Sequence, residues 1–129
     1  MAENSALTLP DEEPVLRTIA MPADTNSSGD IFGGWLLSQM DLAGGSLAIR
    51  RASGRVATVG VESMSFHKPV FVGDEVTCYA RLLKVGKTSI TVEVEAWVRR
   101  ARGDQVAHVT DGTFSYVALD EEGNPRPVE

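Results

Sequence analysis

Between Ser89 and Arg99 apolar and polar residues alternate without a break. Ile90, Val92, Val94, Ala96 and Val98 face one way, and Thr91, Glu93, Glu95, Trp97 and Arg99 the other. Period two over that length predicts a half-buried strand. Residues 75–85 alternate in the same manner, with Val76, Cys78, Ala80 and Leu82 on one face, and Gly86 lies between the two runs. That arrangement predicts a hairpin. Residues 55–70 are strand-like but apolar on both faces, Val59 and Val61 opposing Met64 and Phe66, which predicts a central strand covered on both sides. A last strand is expected over residues 105–119, with Val106, Phe114 and Tyr116 on one face and Val109, Val117 and Leu119 on the other. Residues 15–21 predict a short first strand.

One stretch has a different period: GDIFGGWLLSQMDLAGGSLAIRRASG, residues 29–54. Leu36, Met40, Ala43 and Leu47 recur at helical spacing and form a core stripe. A second stripe, Gly34, Ser38, Asp41, Gly45 and Ala48, is turned roughly 140° from it and is small apart from one carboxylate. Each glycine inside a helix costs about 1 kcal/mol relative to alanine. Gly33, Gly34, Gly44 and Gly45 together therefore point to close packing or a site around Asp41. Asp30 is the expected N-cap.

The order is thus strand, helix, then four strands on short turns, which makes the four antiparallel. A helix of about 20 residues spans ~30 Å, enough for a curled sheet of long strands to wrap. The expected fold is a single α+β domain over residues 15–120. Residues 1–14, with Pro10, Pro14 and an acidic run, and residues 121–129 are expected as loose tails.

Composition narrows the function. A formal net charge of −6 argues against general nucleic-acid or anionic-membrane binding. No apolar run approaches the ~18 residues of a membrane span. Cys78 is the single cysteine, so no intrachain disulfide is expected and a reducing, cytoplasmic setting is the default. His67 and His108 are far apart in sequence with no cysteine at metal-ligand spacing, so no metal centre is expected.

The segments AMPADTNSSGDIFGGWLLSQMDLAGG, VATVGVESMSFHKPVFVGDEV, LLKVGKTSITVEVEAWV and VTDGTFSYVALD, in that order, resemble the YciA-type acyl-CoA thioesterases of the hotdog superfamily. The likeness runs over roughly residues 17–120. It implies a five-stranded antiparallel sheet around a central helix, and hydrolysis of fatty acyl-CoA to free acid and CoA without metal or organic cofactor. It also implies active sites shared between paired subunits, and dimers that assemble into hexamers. Asp41 matches the family's helix carboxylate and Asn26 its DTNxxG asparagine. Phe32, Gly33 and Gly34 match its FGG turn, and Lys84 to Ser89 its basic hairpin.

The residues have chemistry of their own. Backbone N–H groups at Gly33 and Gly34 can polarise a thioester carbonyl, with no Cβ in its way. Asp41 can act as general base on water, or attack directly to give an anhydride. Asn26 can hold the water or the thioester through its amide, or be a plain turn asparagine. Lys84, Gly86, Lys87, Thr88 and Ser89, with Arg81 as a further candidate, can hold the phosphates of CoA, or protect a sheet edge. Two rivals remain: a hotdog dehydratase or hydratase, and a non-catalytic acyl-CoA-binding module. The first calls for a histidine on the helix or the preceding loop, and neither carries one.

Overall fold

The computed structural model describes residues 8–129. Its elements are β1 (Leu16–Ile19), α1 (Gly33–Ala52), β2 (Val56–Phe66), β3 (Glu75–Val85), β4 (Ser89–Arg99) and β5 (Val106–Ala118), with one 3-10 turn at Pro22–Asp24. The strands form one sheet in the order β1-β3-β4-β5-β2, and every neighbouring pair is antiparallel. On one face lies α1, which buries Leu36, Met40, Ala43, Gly44, Ala48 and Ala52. These pack against Ile90, Val92, Val94, Ala96 and Val98 of β4, all fully buried, so β4 is the centre of the core. The strand with the cleanest alternation thus lies under the helix.

Four expectations need correction. Asp30 is not the N-cap of α1; Phe32 is, without a side-chain hydrogen bond. The backbone of Asp30 is committed to Asn26: its N–H donates to Asn26 Oδ1 (3.1 Å) and its carbonyl accepts from the Asn26 N–H (2.7 Å). The chain closes that loop before the helix begins.

β2 is an edge strand, not a central one. The short turns of β3–β4–β5 make those three neighbours, which leaves β2 only the far side of β5. Val59 is 61% exposed, so much of its second apolar face is open in the single chain.

β5 does not keep one parity. Ala96 pairs with Thr110 and Trp97 with His108, leaving Val109 as the extra residue of a bulge. Val109 is therefore buried with Phe114 and Tyr116 rather than sharing a face with Val117.

The C-terminal residues do not trail away from the body. The Val128 N–H donates to the Lys87 carbonyl (2.9 Å), and the Arg126 guanidinium reaches the Ala52 carbonyl (2.8 Å) at the end of α1. Arg51 pairs with Glu129 at 3.0 Å. Apolar burial of Val128 and the carbonyls left open by the helix end hold this segment in place. At the other terminus, residues 8–14 carry no helix or strand, and the first seven expected tail residues lie outside the described ones.

Candidate active site

Midway along α1, Asp41 is half-buried, and its Oδ1 accepts two hydroxyl hydrogen bonds, from Thr58 of β2 (2.8 Å) and Tyr116 of β5 (2.9 Å). The Tyr116 hydroxyl also lies 3.1 Å from the Asp41 carbonyl. This close approach accounts for a glycine. A Cβ on Gly44 would stand 2.5 Å from the Tyr116 hydroxyl and 3.0 Å from Val94 Cγ2. Burial, and after it the bond to Asp41 and its negative charge, push the Tyr116 hydroxyl well above its ordinary pKa, so it stays a donor. Both hydroxyls bond the same oxygen, and that fixes the carboxylate with its other oxygen, Oδ2, left to act on a ligand.

The helix N-terminus is bare. Gly33 and Gly34 form its first turn, both exposed, and no side chain caps it. First-turn N–H groups have no partner within the helix and carry its positive dipole end. A Cβ on Gly34 would meet nothing, whereas one on Gly33 would touch the Phe66 ring at 3.6 Å. Asn26 Oδ1 accepts from Ser28 and Asp30 N–H groups (2.9 and 3.1 Å), so its oxygen shapes the loop. Its amide NH2 is the part suited to a ligand.

These groups do not meet within one chain. A cleft of about 350 Å³ at the helix N-terminus is lined by Asp30, Phe32, Gly33, Phe66 and His67 among others, without Asp41. A second, of about 400 Å³, is lined by Asp41, Leu42, Ile49, Thr58 and Tyr116, without Asn26, Gly33 or Gly34. A third holds Gly86 and Lys87 of the hairpin beside Arg51 and Glu129, at the opposite end of α1. Lys84 and Lys87 are exposed; Thr88 and Ser89 are half-buried. Gly86 is held to Ser89 by an N–H to carbonyl bond of 2.8 Å.

Arg81 is not available to a phosphate. It pairs with Glu12 (2.7 Å), Glu93 (3.1 Å) and Glu95 (2.5 Å). Burial pushes the Glu95 carboxyl up, but the bonds from Trp97 and Arg81 outweigh it and hold that carboxyl below its usual range.

Two groups escaped the sequence reading. Tyr116 and Thr58 read as alternating strand residues, and only the strand order places them beside α1. His67 and His108, distant in sequence, are neighbours in space with ring centroids 5.3 Å apart, because β2 pairs with β5. Spacing along the chain says nothing about such a pair.

One helix laid on a five-stranded antiparallel sheet is the hotdog arrangement. The chain belongs to the thioesterase superfamily, whose family model matches residues 28–103. It is 54% identical over 122 residues to the acyl-CoA thioester hydrolase YciA of Salmonella typhimurium, covering 92% of each chain. The hexameric thioesterase y2039 from Yersinia pestis is 55% identical, with a TM-score of 0.88 over 94% of this chain and 98% of that one. HI0827, a hexameric broad-specificity acyl-coenzyme A thioesterase, is 49% identical, with a TM-score of 0.88 over 95% of this chain and 84% of its own.

Proposed function

We propose that the protein hydrolyses acyl-CoA thioesters to free acid and CoA, at a site shared between two copies of the chain. The observation that carries this reading is the Asp41 carboxylate, pinned through Oδ1 by Thr58 and Tyr116 on a stretch of helix where Gly44 lets Tyr116 come close. The names of the relatives point the same way.

In this reading Asp41 of one copy faces Asn26, Gly33 and Gly34 of the other. Asp41 Oδ2 takes a proton from water as the water oxygen bonds to the thioester carbon. The Gly33 and Gly34 N–H groups receive the negative charge on the carbonyl oxygen. The C–S bond then breaks, the electron pair leaves with sulfur, and the proton on Asp41 returns to the CoA thiolate. The Asn26 amide donates to the carbonyl or orients the water. Lys84 and Lys87, with the Gly86, Thr88 and Ser89 turn, hold the nucleotide phosphates.

Assembly belongs to the same proposal. Edge strand β2 and α1 expose Val59 (61%), Leu42 (61%) and Ile49 (49%), apolar surface that a second copy would cover. Both solved relatives are described as hexameric, and a trimer of dimers is the assembly we propose here. Among the described residues no helix is long and apolar enough to cross a membrane. We assign the protein to the cytoplasm on its single cysteine.

A panel of acyl-CoAs with a thiol-trapping dye tests the activity. Cys78 is fully buried and burial pushes its thiol up to about 12, which disfavours its own reaction with the dye. Stoichiometric thiol release supports hydrolysis. Loss or gain of a double bond without free thiol would instead assign a dehydratase or hydratase, and neither change would leave a binding module.

A further inference from the structure

We propose that His67, His108 and Asp111 form a three-donor site for a divalent transition-metal ion of the zinc class, on the sheet face away from α1. Each offers one ligand atom, and the three atoms lie within 4.8 Å of one another. Asp111 Oδ2 stands 3.3 Å from His108 Nε2 and 3.6 Å from His67 Nε2. A tetrahedral ion with bonds of about 2.0–2.2 Å sets its donors about 3.3–3.6 Å apart. The two contacts to Asp111 already have that spacing.

The backbone makes this cluster. His108 and Asp111 are three apart on β5, and a regular strand would send them to opposite faces. The bulge at Val109 restores them to one face, and the His67 N–H bonds the Val109 carbonyl (2.7 Å), tying the third donor to the same point. Trp97 stacks on the His108 ring at 4.8 Å and 20°, and its own Nε1–H is fixed by Glu95 (2.9 Å). The stacking fixes the orientation of the His108 ring.

The second observation is the His108 Nε2 atom. It is buried and has no hydrogen-bond partner, although a carboxylate oxygen stands 3.3 Å away. A ligand atom that is buried, faces a carboxylate oxygen and makes no hydrogen bond has the placement of a donor to a metal ion held between the two. Two imidazoles and one carboxylate suit zinc, nickel or copper better than calcium or magnesium, which prefer all-oxygen sites. His67 also lines the cleft at the helix N-terminus, so a bound ion would fix the wall that carries Phe66 over Gly33.

The chain has two histidines, both in this cluster, which makes the test direct. Untagged protein is stripped with EDTA, dialysed and titrated with zinc chloride against a chromogenic indicator. The expected result is one equivalent per chain. His67→Gln, His108→Gln and Asp111→Asn should each weaken binding by about 10- to 100-fold or more, the range that even outer partners of a metal ligand contribute. Melting temperatures in EDTA show whether each variant folds. Wild-type protein loaded with cobalt should in addition give the strong visible absorption of a four-coordinate site. Zinc binding unchanged in the folded variants, or no stoichiometric binding and no such absorption in wild type, would overturn the proposal. Neither outcome decides the proposed thioester hydrolysis, no step of which uses this ion.

Discussion

Two hydroxyls on one carboxylate oxygen distinguish Asp41 from a polar residue on a helix. If its Oδ2 is the general base, Asp41→Asn should lower kcat by about 100- to 10,000-fold while circular dichroism stays that of wild type. A folded Asp41→Asn enzyme within a few-fold of wild type would remove Asp41 from the reaction. The glycines separate packing from chemistry. At Gly44 an added Cβ meets the Tyr116 hydroxyl and Val94, and Gly44→Ala should cost about 1–3 kcal/mol of stability. At Gly34 the space is open, so Gly34→Ala should be neutral or gain up to about 1 kcal/mol from helix propensity. If the Gly34 N–H serves the proposed oxyanion role, its added methyl should nonetheless lower kcat/KM by crowding the thioester carbonyl. Thermal melts with parallel kinetics check both, and a stable Gly34→Ala enzyme with unaltered kcat/KM would count against the oxyanion role.

At the scale of elements, the β3–β4 hairpin tip adjoins the C-terminal end of α1, and the free amides lie at its N-terminal end. In the proposed dimer an extended substrate, nucleotide at one end and thioester at the other, would run between the subunits. Double replacement of Lys84 and Lys87 by alanine should raise KM with little change in kcat, since the contact is present in ground and transition states alike. The penalty should shrink as salt rises. An unchanged KM would return the hairpin to edge protection. Most elements were legible because their periods are strong: β4 alternates over its whole length and α1 carries its stripe from Leu36 to Leu47. What escaped depends on pairing. The bulge at Val109 leaves no mark in composition, yet it reverses the parity of Val106 to His108 against the rest of β5 and gathers His108 with Asp111. The edge position of β2 was hidden because an apolar second face reads alike whether a sheet neighbour or a second subunit covers it. The same holds for Asp30, whose capping chemistry is sound but whose backbone is already bound to Asn26.

For the whole molecule, a single chain places Gly33 and Asp41 in different clefts, and the Asp41 cleft includes neither Asn26 nor Gly34. The proposed dimer across β2 and the exposed face of α1 is isologous, so each pair of chains would carry two shared sites. Sedimentation at micromolar protein should find no active monomer. The most direct measurement is complementation between two inactive variants, Asn26→Ala and Asp41→Ala. Co-expressed with different tags and isolated as mixed dimers, they should place both lesions in one site and leave the other intact. Purified mixed dimers should then recover about half the wild-type kcat, and random mixing about a quarter. Mixed dimers verified by mass that stay as inactive as their parents would contradict the shared site.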